Sequence, residues 1–133
     1  MADTGNQFGD TLVRSVTCDT NLSGKENYLV AFDATDDNVV NLAAAATAPQ
    51  YVLLEGKDGS TTPGVGLIAF GGRAKVLLGG TVNPNSPVMS DGNGKAIAAT
   101  TGKYQAGIIP KGGVSGDIVE IILTPGVVWT TVS

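Results

Sequence analysis

Few residues in this sequence of 133 could carry catalytic or metal chemistry. Histidine is absent, so the commonest general base and metal ligand is missing. The single cysteine, Cys18, excludes an internal disulfide and any zinc or iron–sulfur site that needs several cysteines. A thiol becomes a strong nucleophile only beside a base or a cation, and we expect Cys18 to act as a small apolar residue.

Two local patterns resemble functional motifs, but each lacks an essential residue. Gly66–Gly71 has the glycine spacing of a phosphate-binding loop, yet Gly72-Arg73 stands where Lys-Ser/Thr is required. Asp91-Gly-Asn-Gly-Lys95 begins like a calcium loop, but Lys95 occupies the third ligand position and Gly102 replaces the bidentate glutamate. The Asp-Gly-Asn-Gly run predicts a β-hairpin with a type I′ turn instead.

A Ser–Lys dyad is the remaining catalytic alternative, since serine can be activated by a lysine base. No nucleophile turn or oxyanion-hole sequence accompanies the available pairs, which are Ser23/Lys25, Ser115/Lys111 and Ser86/Lys95. The acidic run 33–38 has the composition of a solvated turn. The sequence therefore predicts no enzyme, no metal, no cofactor and no small-molecule substrate.

The elements that would position these residues are short strands. Nineteen glycines, only 15% charged residues and abundant Val, Ile, Thr and Leu predict about nine strands joined by tight turns. We expect an all-β, single small β-barrel or sandwich-like domain over residues 21–133, with glycine pairs such as Gly71-Gly72 separating strands. The run 43–48 is the one helix-prone stretch, and we expect a short helical turn or a loop there. Because no catalytic group is predicted, these strands have no active site to position.

Charge and hydropathy exclude two classes of partner. The net charge of −4 opposes a phosphate backbone, so we expect no nucleic-acid binding. No apolar run reaches the length of about 18 residues that spans a bilayer, so we expect no membrane partner. One cysteine without a basic, apolar leader predicts a reducing, cytosolic origin.

Residues 1–20 form the second predicted unit, an extended N-terminal arm without clear periodicity. The arm carries isolated apolar residues, and we expect Phe8, Leu12 and Val13 to dock on a partner, with a frayed terminus as the alternative. Trp129 is the only tryptophan, and it is predicted either as a core residue or as a partner contact, because tryptophan is favoured at interfaces.

The order of turns and strands in the second half resembles a known family. Residues 72–82 (GRAKVLLGGTV) lead to 86–96 (SPVMSDGNGKA), then 104–110 (YQAGIIP) and 115–126 (SGDIVEIILTPG), while 38–43 and 51–55 fit the upstream pattern. This order resembles that of the small capsid decoration (cement) proteins of tailed bacteriophages. The resemblance implies a β-rich domain that binds the major capsid protein on the outer surface of the expanded head. It further implies a homotrimer, made in the host bacterial cytoplasm and located in the virion.

Two alternatives stay open beside that reading. The chain could be another virion structural module, such as a tail or fibre component. A carbohydrate-binding domain is also conceivable, although seven aromatic residues (one Trp, three Tyr and three Phe) offer few stacking platforms.

Overall fold

A computed structural model describes residues 11–44 and 48–130 and confirms the all-β prediction. The described chain forms nine strands: β1 Thr11–Cys18, β2 Leu29–Phe32, β3 Val39–Leu42, β4 Tyr51–Glu55, β5 Gly64–Leu77, β6 Ser86–Ser90, β7 Ala96–Ala98, β8 Tyr104–Ile109 and β9 Ile118–Val128. None of its described segments is a helix with the length and hydropathy to cross a membrane. Most of the run predicted as a helical turn or loop, 45–47, lies outside the described residues.

Five strands close into a barrel in the order β1-β3-β2-β4-β5, because β1 also pairs with β5. All pairs are antiparallel except β1 with β3. Alternate side chains of each strand point inward and fill the barrel with a first core. The buried members of this core are Val16, Cys18, Leu22, Val30, Val40, Leu53 and Ile68.

β5 leaves the barrel and continues into a second sheet, in the order β5-β9-β8-β6-β7. The transition occurs where Phe70 bulges out of the β1–β5 register and Gly72 adopts a positive φ of 74°. The prediction that Gly71-Gly72 separates two strands is therefore wrong. The glycines bend one long strand, since a bulge and a left-handed residue twist the chain without ending its pairing.

The second core lies between the barrel wall and the second sheet. Leu29 and Val52 are directly paired on β2 and β4 and point away from the barrel interior, toward this core. They meet apolar residues of the sheet's inner face, which include Val76, Val88, Ile109 and Ile121. The barrel and the sheet therefore form one unit.

The structure differs from the prediction of an N-terminal arm over residues 1–20. Residues 11–18 are strand β1, which pairs with β5 along its whole length and supplies Val16 and Cys18 to the barrel core. Sequence periodicity missed this strand because Leu12 and Val13 are adjacent apolar residues, whereas a half-buried strand alternates. Residues 1–10 lie outside the described chain.

The Asp91 turn forms the expected hairpin between β6 and β7. The prediction of a type I′ turn is wrong. Positive φ angles occur at Gly92 and Gly94 rather than at two consecutive central residues. A five-residue loop closes through the Asp91 N–H, which donates to the Lys95 carbonyl at 2.8 Å. The Asp91 carboxylate accepts the N–H groups of Asn93 and Lys95 and holds this wider loop.

Candidate partner-binding surface

The N-terminal half of β1 presents apolar side chains on both of its faces. Leu12 is 49% exposed and Val13 is 50% exposed, although both belong to a paired strand. Leu12 lies over Gly71, where a Cβ would stand 2.9 Å from its Cδ1, so the glycine makes room for the leucine. Phe70, the bulged residue opposite, is also exposed. We call these three exposed side chains, Leu12, Val13 and Phe70, the β1 surface; Leu12 and Val13 are consecutive and so project from opposite faces of the strand.

One edge of β1 is only partly covered. Its partner on that edge is β3, which pairs with Thr17 and Cys18 alone in the described chain. The Asn38 side-chain amide donates to the Ser15 carbonyl at 3.3 Å and covers part of the rest. An edge strand with free backbone groups and apolar side chains is well suited to pairing with another protein.

The remaining predicted contact residues are not gathered with this surface. Phe8 lies outside the described residues. Trp129 is half-buried just beyond β9, where its N–H donates to the Lys103 carbonyl and its carbonyl accepts from the Gly102 N–H. β1 and β9 share no strand pairing in the described chain, so Trp129 belongs to a different part of the sheet system.

The rim of the barrel beside the β1 surface combines Arg14 with aromatic and amide side chains. The Arg14 guanidinium lies 5.0 Å from the centre of the Phe32 ring, and its Nη2 donates to Asn38 Oδ1 at 2.9 Å. Phe32 in turn meets Tyr51 edge-on, with ring centres 5.3 Å apart. A shallow cleft of about 370 Å³ lies between Arg14, Phe32 and the acidic loop 33–38.

Hydrogen bonding inside the acidic loop stabilises one ionised carboxylate. The Asp33 carboxylate accepts the N–H of Asp36, the hydroxyl of Thr35 and the N–H of Thr35, and these bonds lower its pKa below the ordinary value of 3.8. The same logic applies at Asp58, where the Ser60 hydroxyl and N–H lower the pKa. These carboxylates organise turns, as expected of Asp in such sequences.

Two of the candidate catalytic residues, Cys18 and Lys25, pack against apolar or aromatic side chains. Cys18 is fully buried in the barrel core, as expected of a small apolar residue. The Lys25 ammonium lies 5.0 Å from the centre of the Tyr28 ring, a cation–π position. Across residues 11–44 and 48–130, no three Cys, Asp or Glu side chains are grouped so as to hold a metal ion.

Sequence reasoning missed several exposed apolar residues on the strands. Val65 lies on the barrel part of β5, while Ile118 and Ile122 lie on β9. The signal was present in 118–122, where Ile-Val-Glu-Ile-Ile places apolar residues on both faces of one strand.

Comparison with known proteins gives a likeness of fold. No family model matches the sequence, and no curated protein matches it. The fold is similar to that of the N base of the head fibre protein gp8.5 of bacteriophage phi29, with a TM-score of 0.65 and 16% sequence identity. The likeness covers 86% of this chain and 94% of the phi29 chain. It shows that the two chains share a fold.

Proposed function

We propose that this chain is a structural component of a bacteriophage virion, and more narrowly a capsid decoration protein. In this role it binds the major capsid protein on the outer surface of the expanded head, as a trimer, after synthesis in the host cytoplasm. The observation that carries the proposal is the fold shared with a phage head fibre base over most of both chains. The decoration-protein pattern of turns in residues 72–126 gives separate support, because it comes from sequence order rather than from coordinates.

The mechanism of such a protein is binding linkage. A ligand that binds the mature lattice, and not the immature or dissociated one, stabilises the mature form by mass action. Many equivalent sites multiply a modest free energy per copy over the whole head. A small domain with a firm core meets this requirement without any active site.

The β1 surface is our candidate for the contact with the head. Burial of an exposed Leu or Val side chain contributes about 1.5–3 kcal/mol, so covering the exposed halves of Leu12 and Val13 contributes about 1 kcal/mol each. Both side chains project from a strand that is paired along its length with β5, so little entropy is lost when they are held by a partner.

Co-sedimentation with expanded, undecorated heads tests the proposal, with unexpanded heads as the comparison. We expect saturable binding to expanded heads only, at a fixed number of copies per lattice site. A folded protein that binds neither form would contradict the decoration role.

The β1 contact needs its own variants. Leu12→Asp combined with Val13→Asp should weaken binding by about 30-fold or more, whereas Val114→Asp, at a similarly exposed valine outside β1, should leave it unchanged. Truncation must stop at Asp10, because removal of residues 11–18 would open the barrel. Equal binding by the double variant would exclude the β1 surface as the contact.

A head fibre or tail component is the second candidate, favoured by the phi29 likeness itself. A component that occupies only some positions of the virion saturates at fewer copies than one that occupies every lattice site. The copy number at saturation therefore separates the two functions in the same experiment.

A further inference from the structure

The second half of β5 has a strand on only one of its two edges in the described chain. There β9 pairs with residues 73–77, whereas β1, which pairs with the first half, begins at Thr11. Two hydrogen bonds show that β1 and β9 lie on opposite edges. The Arg73 carbonyl accepts the Thr11 hydroxyl at 2.7 Å, while the Leu78 N–H points the other way and donates to the Asp117 carbonyl beside β9 at 2.8 Å.

Lys75 lies in the middle of the open edge. Successive residues of a strand direct their backbone groups to opposite edges, and the register between 73 and 77 is unbroken, so Lys75 shares the edge of Arg73 and Leu77. The Leu77 N–H donates to the Asn27 carbonyl at 2.9 Å, which closes the edge at that end. The N–H groups of Arg73 and Lys75 and the Lys75 carbonyl therefore face a gap that no described strand fills.

A shallow groove of about 300 Å³ runs along this gap. It is lined by Thr11, Arg73, Ala74, Lys75 and Glu120. Thr11 is both a wall of the groove and the first described residue of β1, so the ten residues that precede it in the sequence are joined to the fold at the groove. Lys75 is three residues beyond Gly72, the partner of Thr11, and three residues of extended chain span that distance.

Hydrogen bonds of β1 show which of its residues direct their backbone groups to β5. The Thr17 N–H and the Ser15 carbonyl both bond to Asn38 on the β3 side, so odd-numbered residues of β1 face away from β5. Even-numbered residues therefore face β5. Continued toward the N-terminus, this alternation makes Asp10 and Phe8 the next residues whose backbone groups would face β5.

The register of β1 and β5 matches these two residues to the open groups. Counted on from the last described pair, it places Asp10 opposite Arg73 and Phe8 opposite Lys75. Arg73 and Lys75 are the residues of β5 whose backbone groups face the gap. Two separate alternations, one along β1 and the other along β5, therefore agree on the same pairs.

The side chains fit the same placement. The edge carries Arg73 and Lys75 against Glu120, whose carboxylate lies 3.5 Å from the Arg73 guanidinium, so one cation is in excess. The ten residues before β1 contain two aspartates and no lysine or arginine. In this register Asp10 supplies an acid opposite Arg73, and Phe8 covers the methylene stem of Lys75. Opposite charges and aromatic contacts across a strand pair are stabilising.

We propose that residues 8–10 extend β1 along β5 and close its open edge within the same chain. The N–H groups of Asp10 and Phe8 donate to the carbonyls of Arg73 and Lys75, whose own N–H groups donate in return. The Arg73 carbonyl then accepts from both Asp10 and the Thr11 hydroxyl, as its two lone pairs allow. An open edge pairs readily with other chains, so the extension reserves this one for the chain itself. The inference is independent of the proposed function.

Site-resolved amide hydrogen exchange on the full chain tests the proposal. The Lys75 N–H faces the edge and the Val76 N–H faces β9, so Val76 is a control within each molecule. We expect both amides to be protected in the wild type. Deletion of residues 1–10 should speed exchange at Lys75 about 100-fold or more and leave Val76 unchanged, since only the edge opens. Deletion of residues 1–5, which keeps the proposed strand, should change neither amide.

A pair of proline variants tests the register, and replaces the longer deletion if circular dichroism shows that it does not fold. Phe8→Pro removes an N–H that donates to Lys75, whereas Gln7→Pro removes one that faces away from β5. We expect Phe8→Pro to speed exchange at Lys75 about tenfold or more, and Gln7→Pro to leave it near the wild-type rate.

Four results would overturn the proposal. The first is a Lys75 amide that exchanges freely in the wild type, and the second is one that stays protected after deletion of residues 1–10 or in Phe8→Pro. Equal effects of the two prolines would reject the register. Protection of Lys75 that is lost on dilution, as light scattering shows the mass falling to that of a monomer, would assign the edge to a second copy.

Discussion

Replacement of Gln50 by leucine should lower the free energy of unfolding, because this residue links the barrel to the second sheet through hydrogen bonds. Gln50 is fully buried just before β4, and its Nε2 donates to the Tyr104 carbonyl at 2.8 Å, at the start of β8. Its Oε1 accepts the Ser90 N–H at 2.6 Å, at the end of β6. One barrel-side residue thus satisfies two backbone groups of the sheet. Gln50→Leu keeps the volume of the side chain but leaves both groups buried without their partner.

The expected magnitude follows from the cost of such unpaired groups. Each buried donor or acceptor that loses its partner costs about 1–3 kcal/mol, so the loss of both should lower the free energy of unfolding of Gln50→Leu by about 2–6 kcal/mol. Domains of this size have about 5–15 kcal/mol in total, and each kcal/mol shifts the melting temperature by about 4 °C. We therefore expect the melting temperature to fall by about 8–24 °C, with a parallel loss in urea unfolding.

Gln105→Leu is the matched control for this prediction. Gln105 is almost as buried, but its Nε2 donates to the Thr124 hydroxyl at 2.7 Å rather than to the backbone. A hydroxyl can rotate toward another partner, so the control should lose about 1 kcal/mol or less. The reasoning is refuted if the free energy of unfolding of Gln50→Leu lies within about 0.5 kcal/mol of the wild-type value, or if both variants lose the same free energy. In either case the two hydrogen bonds of Gln50 do not hold the barrel and the sheet together.

Two further predictions concern backbone packing and acid stability. Gly107→Ala should lower the free energy of unfolding in urea by about 3 kcal/mol or more, because a Cβ there would overlap the Ile122 carbonyl of β9. Gly80→Ala is the control and should be near neutral, since its Cβ would meet only a side-chain methyl at 3.6 Å. Similar losses of stability for both variants would refute the packing argument. Asp33→Asn tests the lowered pKa of that carboxyl. A depressed folded-state pKa gives stability that is fully present above the unfolded value near 3.8 and is lost as pH falls through the lower folded value. The difference in unfolding free energy between wild type and Asp33→Asn should thus stay constant from about pH 7 to 5 and shrink as the pH falls below about 4, and a difference of the same size at pH 2 and pH 7 would contradict it.

Much of the fold could be read from residue patterns, since turns and alternation are local signals. The strands around Val30, Val40 and Ile109 were predicted within a few residues because apolar runs lie between Asp, Asn, Gly and Pro. The length of β5 was not predictable in this way. A glycine pair usually separates strands. Here β5 continues through Gly72, because β1 pairs with β5 up to Gly72 and β9 pairs with β5 from Arg73 onward.

The candidate surfaces were harder to predict than the fold, for a physical reason. Leu12 and Val13 were singled out as contacts from their apolar character, but their placement on a barrel strand depends on pairing with β5, more than fifty residues away. Ile118 and Ile122 look like core residues in sequence, because Val119 and Ile121 beside them are apolar as well. Which of the two faces of β9 meets the core is decided by the pairing with β5 and β8, and no local pattern contains that information.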